Sequence, residues 1–370
     1  MQRPIRSSAA ALIGLLMSGC PGQSQTIPLP PPTPTTSLDG GSLTSSCLPQ
    51  RSTDLVAYLR SQPFAGRDGG PLVPVTRGSS RWMAAYNAAL AWASADCPSF
   101  ATFADQMGYK AEEITDTVTA THHWVLTERA SRWNGLFVLR APSEVAQARP
   151  LTLTAPHLGF DFSDDRAIVL YRELGALGLL QNTAHRCNLA TCSGCSSLAG
   201  YACGGCSRAS DLAHSVDQLM FGLYSGLEAM HKVVRFEYHG APAKPSVPGC
   251  RGTVNLSQGS QDRLAPEVDD PTPASRMWRA LERSLGPSCV CYHQREPGCL
   301  LPGTASVLGR LTNEEPTTLF DPCKTAAARI SGRFVHFEWQ QVSVETVIAA
   351  LSEAVPLPLP GQSSTPTSRQ

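Results

Sequence analysis

From about residue 117 onward the chain alternates short apolar runs with longer amphipathic ones, and this alternation limits it to few architectures. The runs 123–128 (HWVLTE), 135–140 (GLFVLR), 151–155, 178–182, 233–238 (VVRFEY) and 333–338 (RFVHFE) have strand length and composition. Between and after them, 165–176, 212–231, 273–285 and 343–354 carry helical spacing. Strands that alternate with helices imply an α/β domain with a mixed, largely parallel sheet flanked by helices. Ligand sites in such sheets gather at the carboxyl ends of strands.

The flanks differ in character. Over 49–115 the pattern is helical, with Trp82, Ala85, Ala89 and Trp92 forming one apolar stripe. Residues 21–48 are rich in Pro, Ser and Thr and read as a linker, and 356–370 read as a disordered tail. The α/β region is expected to span 116–355. The Pro-, Gly- and Asp-rich stretch from Pro242 to Pro273 reads as a surface excursion.

Residues 1–20 predict export. Arg3 and Arg6 precede an apolar stretch from Ala9 to Met17, too short to span a bilayer, and Met17-Ser18-Gly19-Cys20 resembles a bacterial lipobox. The expected product is lipidated on Cys20, anchored to membrane lipid in the cell envelope, and faces the periplasm or exterior. Setting Cys20 aside leaves an even number of the 13 cysteines in an oxidising compartment, which favours disulfides. The paired C-x-x-C units at Cys192/Cys195 and Cys203/Cys206, inside a Cys-rich insertion over 187–206, also have zinc-site spacing; disulfides are the expectation in an exported chain. Cys289, Cys291 and Cys299 read the same way, with Cys250 and Cys323 as partners to draw on. Equal numbers of acidic and basic side chains, 30 each, give no electrostatic footprint for nucleic acid. There is no G-x-S-x-G elbow, P-loop or H-E-x-x-H.

Three polar clusters sit at strand ends. His157 and Asp161 follow 151–155 in a turn shaped by Pro156 and Gly159. His239 closes 233–238, and His336 and Glu338 share one face of 333–338 by the period of two. Two histidines and a carboxylate suit one catalytic zinc with an open position for water, and a further carboxylate can act as general base.

The segments W-V-L-T-E-R…N-G-L-F-V-L-R, A-P-H-L-G-F-D, N-T-A-H-R, S-D-L-A-H, F-E-Y-H-G and F-V-H-F-E resemble, in that order, a poorly characterised bacterial family. That family is distantly similar to N-formylglutamate amidohydrolases, poly-γ-glutamate hydrolases and zinc carboxypeptidases, which share a phosphorylase/hydrolase-like α/β fold. The resemblance implies His157, Asp161 and His239 as zinc ligands and Glu338 as general base and acid. It further implies that Arg186 holds a substrate carboxylate or supports the site, and that Asp211 and His214 support the metal shell or substrate, with His336 beside them. Many relatives carry glutamate at the place of Asp161, which leaves Asp164 and Asp165 as alternative ligands. The implied activity is hydrolysis of an amide or peptide-like C–N bond in a peptide-like or N-acyl amino-acid substrate. A disulfide-stapled surface lipoprotein that binds without catalysis is the competing expectation.

Overall fold

The computed structural model describes residues 47–358 apart from 68, 70–71, 158–162, 189–190, 194, 196–202, 204–207, 241–249, 251, 261–263, 265–269, 297–298, 300–302, 315–320 and 328. The signal region with Cys20, Asp161 and most of the linker and tail therefore lie outside the described residues.

The strands are β1 (Gln50–Thr53), β2 (Tyr109–Asp116), β3 (His122–Glu128), β4 (Leu136–Arg140), β5 (Arg149–Ala155), β6 (Ala176–Gln181), β7 (Val234–Gly240), β8 (Thr253–Ser257), β9 (Val290–Tyr292) and β10 (Phe334–Gln340). The α-helices are α1 (Leu55–Arg60), α2 (Ser80–Ala93), α3 (Cys97–Met107), α4 (Ser163–Leu174), α5 (Leu219–Met230), α6 (Pro273–Leu285), α7 (Val307–Asn313) and α8 (Val344–Ala354). All ten strands join one sheet in the order β1-β2-β3-β4-β6-β5-β7-β10-β8-β9. Its centre, β6-β5-β7-β10, is parallel, and antiparallel pairings flank it on both sides. This is an α/β protein with a large mixed sheet.

Helices cover both faces. One core joins α1, α4, α6 and α8 to inward residues such as Leu153, Phe236, Tyr238 and Phe337. The other joins α2, α3, α5 and α7 to Leu126, Phe137, Leu180 and Phe334. The predicted stripe on α2 packs on α5, and glycine makes the approach possible. A Cβ on Gly222 would lie 2.8 Å from the Trp82 carbonyl, and one on Gly226 would lie 2.5 Å from that of Tyr86.

Three expectations are corrected. The segment 49–115 is not all helical: β1 and β2 lie in it and extend the sheet, because β2 alternates buried and exposed side chains at a period of two. The predicted helix 212–231 begins late. Residues Leu212–His214 make one 3-10 turn, and the α-helix opens only at Leu219, after Gln218 in extended backbone. The stretch 242–273 contains β8, which pairs with β10 as well as β9.

All cysteines among the described residues are disulfide-bonded. The bonds include Cys47–Cys97, Cys187–Cys203, Cys195–Cys323, Cys250–Cys289 and Cys291–Cys299. Cys195–Cys323 ties the Cys-rich stretch to the chain leading into β10. Cys291 and Cys299 lie near Glu296, yet their sulfurs bond each other rather than offering thiolates to a metal.

Candidate metal centre

Chain order reverses around β5: β6 lies on one side of it and β7 on the other. A crevice at the carboxyl ends of β5 and β7 is the switch point that such sheets use for ligands. His157 stands two residues past the end of β5, and His239 is the penultimate residue of β7. The parallel register sets Glu237 opposite His336 and His239 opposite Glu338, while Thr154 of β5 lies opposite Glu237. Parity therefore puts Glu237, His239, His336 and Glu338 on one face, with Phe236, Tyr238 and Phe337 stacked on the other. A fully covered parallel strand is normally apolar on both faces. Here β7 carries Arg235, Glu237 and His239 instead, all at most 4% exposed.

A buried chain of polar contacts runs through this face. Ser306, the N-cap of α7, donates to Glu237 Oε2 at 2.7 Å. Glu237 Oε1 lies 2.8 Å from His239 Nε2, and His239 Nδ1 lies 3.1 Å from His157 Nδ1. His157 Nε2 lies 3.1 Å from Asp211 Oδ1, and Arg186 Nη2 donates to Asp211 Oδ2 at 2.5 Å. His214 Nδ1 is 3.1 Å from that same oxygen. The rings of His239 and His336 are 4.7 Å apart, and His336 Nε2 is 3.6 Å from Glu338. Gly303 makes room for this ring, since a Cβ there would come within 2.6 Å of it.

The loops that carry these groups are cross-tied. Asn182 Nδ2 donates to the carbonyls of Pro156 and Ser210, and Ser210 Oγ donates to that of Arg186. Ser193 Oγ donates to the His214 carbonyl. The β5 turn, the segment after β6 and the 3-10 turn are thus one assembly.

Electrostatics assign the protons. Burial raises the Asp211 carboxyl, but His214 and His157 beside it outweigh burial and hold it well below the usual carboxylate range. Ionised Asp211 can only accept, so His157 carries a hydrogen on Nε2, and in its neutral form an Nδ1 lone pair faces His239. Burial raises the Glu237 carboxyl against the pull of His336 and Ser306. His239 can meet His157 with an Nδ1–H while Glu237 keeps a proton, or with a second lone pair and a cation between the rings. Burial and the neighbouring His239 lower His336 to about 3, so it is neutral.

The donor set fits a metal. Two Zn–N bonds of about 2.05 Å at a tetrahedral angle separate their nitrogens by roughly 3.3 Å, close to the 3.1 Å between His157 Nδ1 and His239 Nδ1. Each ring turns its other nitrogen to a buried carboxylate, the arrangement that fixes metal-binding imidazoles. Glu237, His239 and His336 also bring one ligand atom each within 4.8 Å of one another. Glu237 is itself engaged by Ser306 and His239.

Of the residues singled out in the sequence, His157, His239, His336, Glu338, Asp211, Arg186 and His214 come together here. Arg186 meets Asp211. Asp161 and the side chain of Asp164 lie outside the described residues. Asp165 does not belong to the site: it is an exposed partner of Arg60. Glu237 and Ser306 were missed. Glu237 was readable, since the E-Y-H triplet puts it on the face of His239, whereas Ser306 comes from a distant helix cap. A cavity of about 210 Å³ lies elsewhere, beside Trp133 and Thr183.

No family model and no curated protein matches the sequence. Among solved structures, the chain is similar to a candidate metallopeptidase from Shewanella denitrificans OS217, at 10% identity and TM-score 0.25, over 74% of this chain and 88% of that one. It is likewise similar to a candidate metallopeptidase from Shewanella amazonensis SB2B, at 10% identity and TM-score 0.26, over 76% and 96%. At such scores the likeness supplies no argument, and the functional reading rests on the side chains.

Proposed function

We propose that this chain is an exported, lipid-anchored, zinc-dependent hydrolase of an amide or peptide-like C–N bond. The observation that supports it is the pair of imidazoles, His157 and His239, turned Nδ1 to Nδ1 at the switch point and each backed by a buried carboxylate. His157 and His239 would hold the ion, with Asp161 as the expected third ligand. Bound zinc supplies Lewis-acid polarisation of a carbonyl and lowers the pKa of water to about 7.

The rest falls to the protein. Asp211, braced by Arg186, keeps His157 in one tautomer, and Glu237 does the same for His239. Glu338 lies opposite His239 in the register with its side chain partly exposed, a position from which it would take a proton from water and return it to the departing amine. Cys20 would carry the lipid that holds the enzyme in the cell envelope, and the substrate would be a peptide or N-acyl amino acid.

Glu338→Gln is the test. It should keep the metal content of the wild type and lose at least a hundredfold in turnover of N-acyl amino-acid and peptide amides. Full turnover would sink the general-base role. Wild-type protein that holds metal yet hydrolyses none of them would favour the non-catalytic lipoprotein.

A further inference from the structure

The motif W-V-L-T-E-R…N-G has no part in the histidine cluster, yet it builds a turn held by several side-chain hydrogen bonds. Glu128, at the end of β3, accepts three backbone N–H groups, from Arg132 (3.2 Å), Trp133 (2.7 Å) and Asn134 (2.9 Å). Asn134 Nδ2 donates to the carbonyls of Val73 and Arg132, and Gly135 N donates to Thr183 Oγ1. These ties hold Trp133 at φ 62°, a left-handed conformation that a bulky side chain rarely adopts. Strain of this kind persists only where surrounding contacts impose it, and it gathers at binding sites.

Trp133 lines the cavity of about 210 Å³ beside Gln62, Thr127 and Thr183. A second cavity, of about 100 Å³, shares Gln62, Pro63, Leu136 and Thr183 with it and adds Phe64 and Gln181. The two make one groove. Gln181 is 6% exposed, and its side-chain oxygen accepts no hydrogen bond among the described residues. A buried amide oxygen left in that state is unfavourable unless a ligand or water donates to it.

Charges at the groove are satisfied within the protein. Arg60 pairs with Asp165, Arg129 with Asp105, and Glu128 with its backbone donors. What remains is the rings of Trp133 and Phe64, apolar side chains such as Leu136 and Ile168, hydroxyls and side-chain amides. We infer that the groove binds a neutral saccharide ring, its apolar face on Trp133 and its hydroxyl or acetamido hydrogens on Gln181 and its neighbours.

The groove is one strand from His157: Asn182, which directly follows β6, donates from its backbone to Ala155 at the end of β5 and from its side chain to Pro156. If the site is hydrolytic as proposed, the substrate is an amide borne on a glycan. The groove itself needs no metal, so the two readings can fail separately.

Titration calorimetry with tri-N-acetylchitotriose is the experiment, on wild-type protein and on the His157→Ala/His239→Ala double variant. Both should bind saturably. Trp133→Gly removes the ring while suiting the left-handed backbone, and should weaken binding at least tenfold with an unchanged circular-dichroism spectrum. Gln181→Leu, an apolar replacement of similar size, should also weaken it about tenfold and stands in if the first variant misfolds. Absence of binding to the wild type, undiminished binding by both variants, or binding of trialanine in place of the saccharide would each overturn the inference. Binding by the double variant, with no hydrolysis by the wild type, would keep the groove and discard the hydrolase.

Discussion

His157 and His239 face each other through their Nδ1 atoms at 3.1 Å, and each is backed through Nε2 by a carboxylate from a different part of the chain. Asp211 arrives from a 3-10 turn after the Cys-rich stretch, and Glu237 from the same strand two residues earlier.

That relationship predicts a metal stoichiometry. Purified protein should hold one zinc that the His157→Ala/His239→Ala double variant lacks, measured by atomic emission. Equal metal content in the two proteins would remove these histidines from the ligand set.

The backing carboxylates should matter at one remove. Asp211→Asn and Glu237→Gln keep the size of each side chain but loosen the hold on the imidazole tautomer. Each should lower zinc affinity by about 10–100-fold in competition with a chelator. An affinity unchanged in both would mean that the carboxylates only satisfy burial.

The contact between α2 and α5 should not tolerate a methyl group at Gly226. A Cβ there meets the Tyr86 carbonyl at 2.5 Å and Ala89 Cβ at 2.7 Å, and both belong to a packed helix. Gly226→Ala should destabilise the fold by about 1–3 kcal/mol in denaturant melts, although alanine favours a helix. A stabilised variant would show that the helices part easily.

Acid should weaken the fold through a histidine far from the site. His123 is buried between Tyr171 and Thr121, and burial together with Arg140 lowers it to about 3 from an ordinary 6.5. The unfolded chain therefore takes up a proton below pH 6.5 that the folded chain refuses, and stability falls as pH drops from 6.5 towards 3. The loss is on the order of 4 kcal/mol by the lower limit. His123→Gln should flatten that part of the stability–pH curve; an unchanged slope would show that His123 titrates normally.

Much of the sheet was legible because a period of two survives in its strands. Phe334-Val335-His336-Phe337-Glu338 announces two faces, and β10 has them. The candidate site was legible where a polar side chain takes the place of an apolar one at or just past a strand end, as His157 and His239 do. What escaped detection depends on partners distant in sequence. β8 alternates polar and apolar side chains over only five residues inside a Pro- and Gly-rich stretch, β2 follows a run of genuine helices, and Ser306 reaches Glu237 only once α7 has docked. Cys323 seemed a partner for the nearby cysteines, but it bonds Cys195, 128 residues earlier, a choice no spacing rule could make.

The last strand in the chain is an interior one, not an edge: β10 is laid between β7 and β8, and β8 alone holds β9. A nascent chain that has yielded everything up to β9 thus has seven strands on one side and two on the other that cannot meet. Its histidines wait on a strand still to be made. The order of synthesis delays closure, and with it the site, until nearly the whole polypeptide has emerged, so contacts of long sequence separation should set the pace of folding. Shortened products that stop before Phe334 should remain open at the seam beside β7 and be ready prey for proteases.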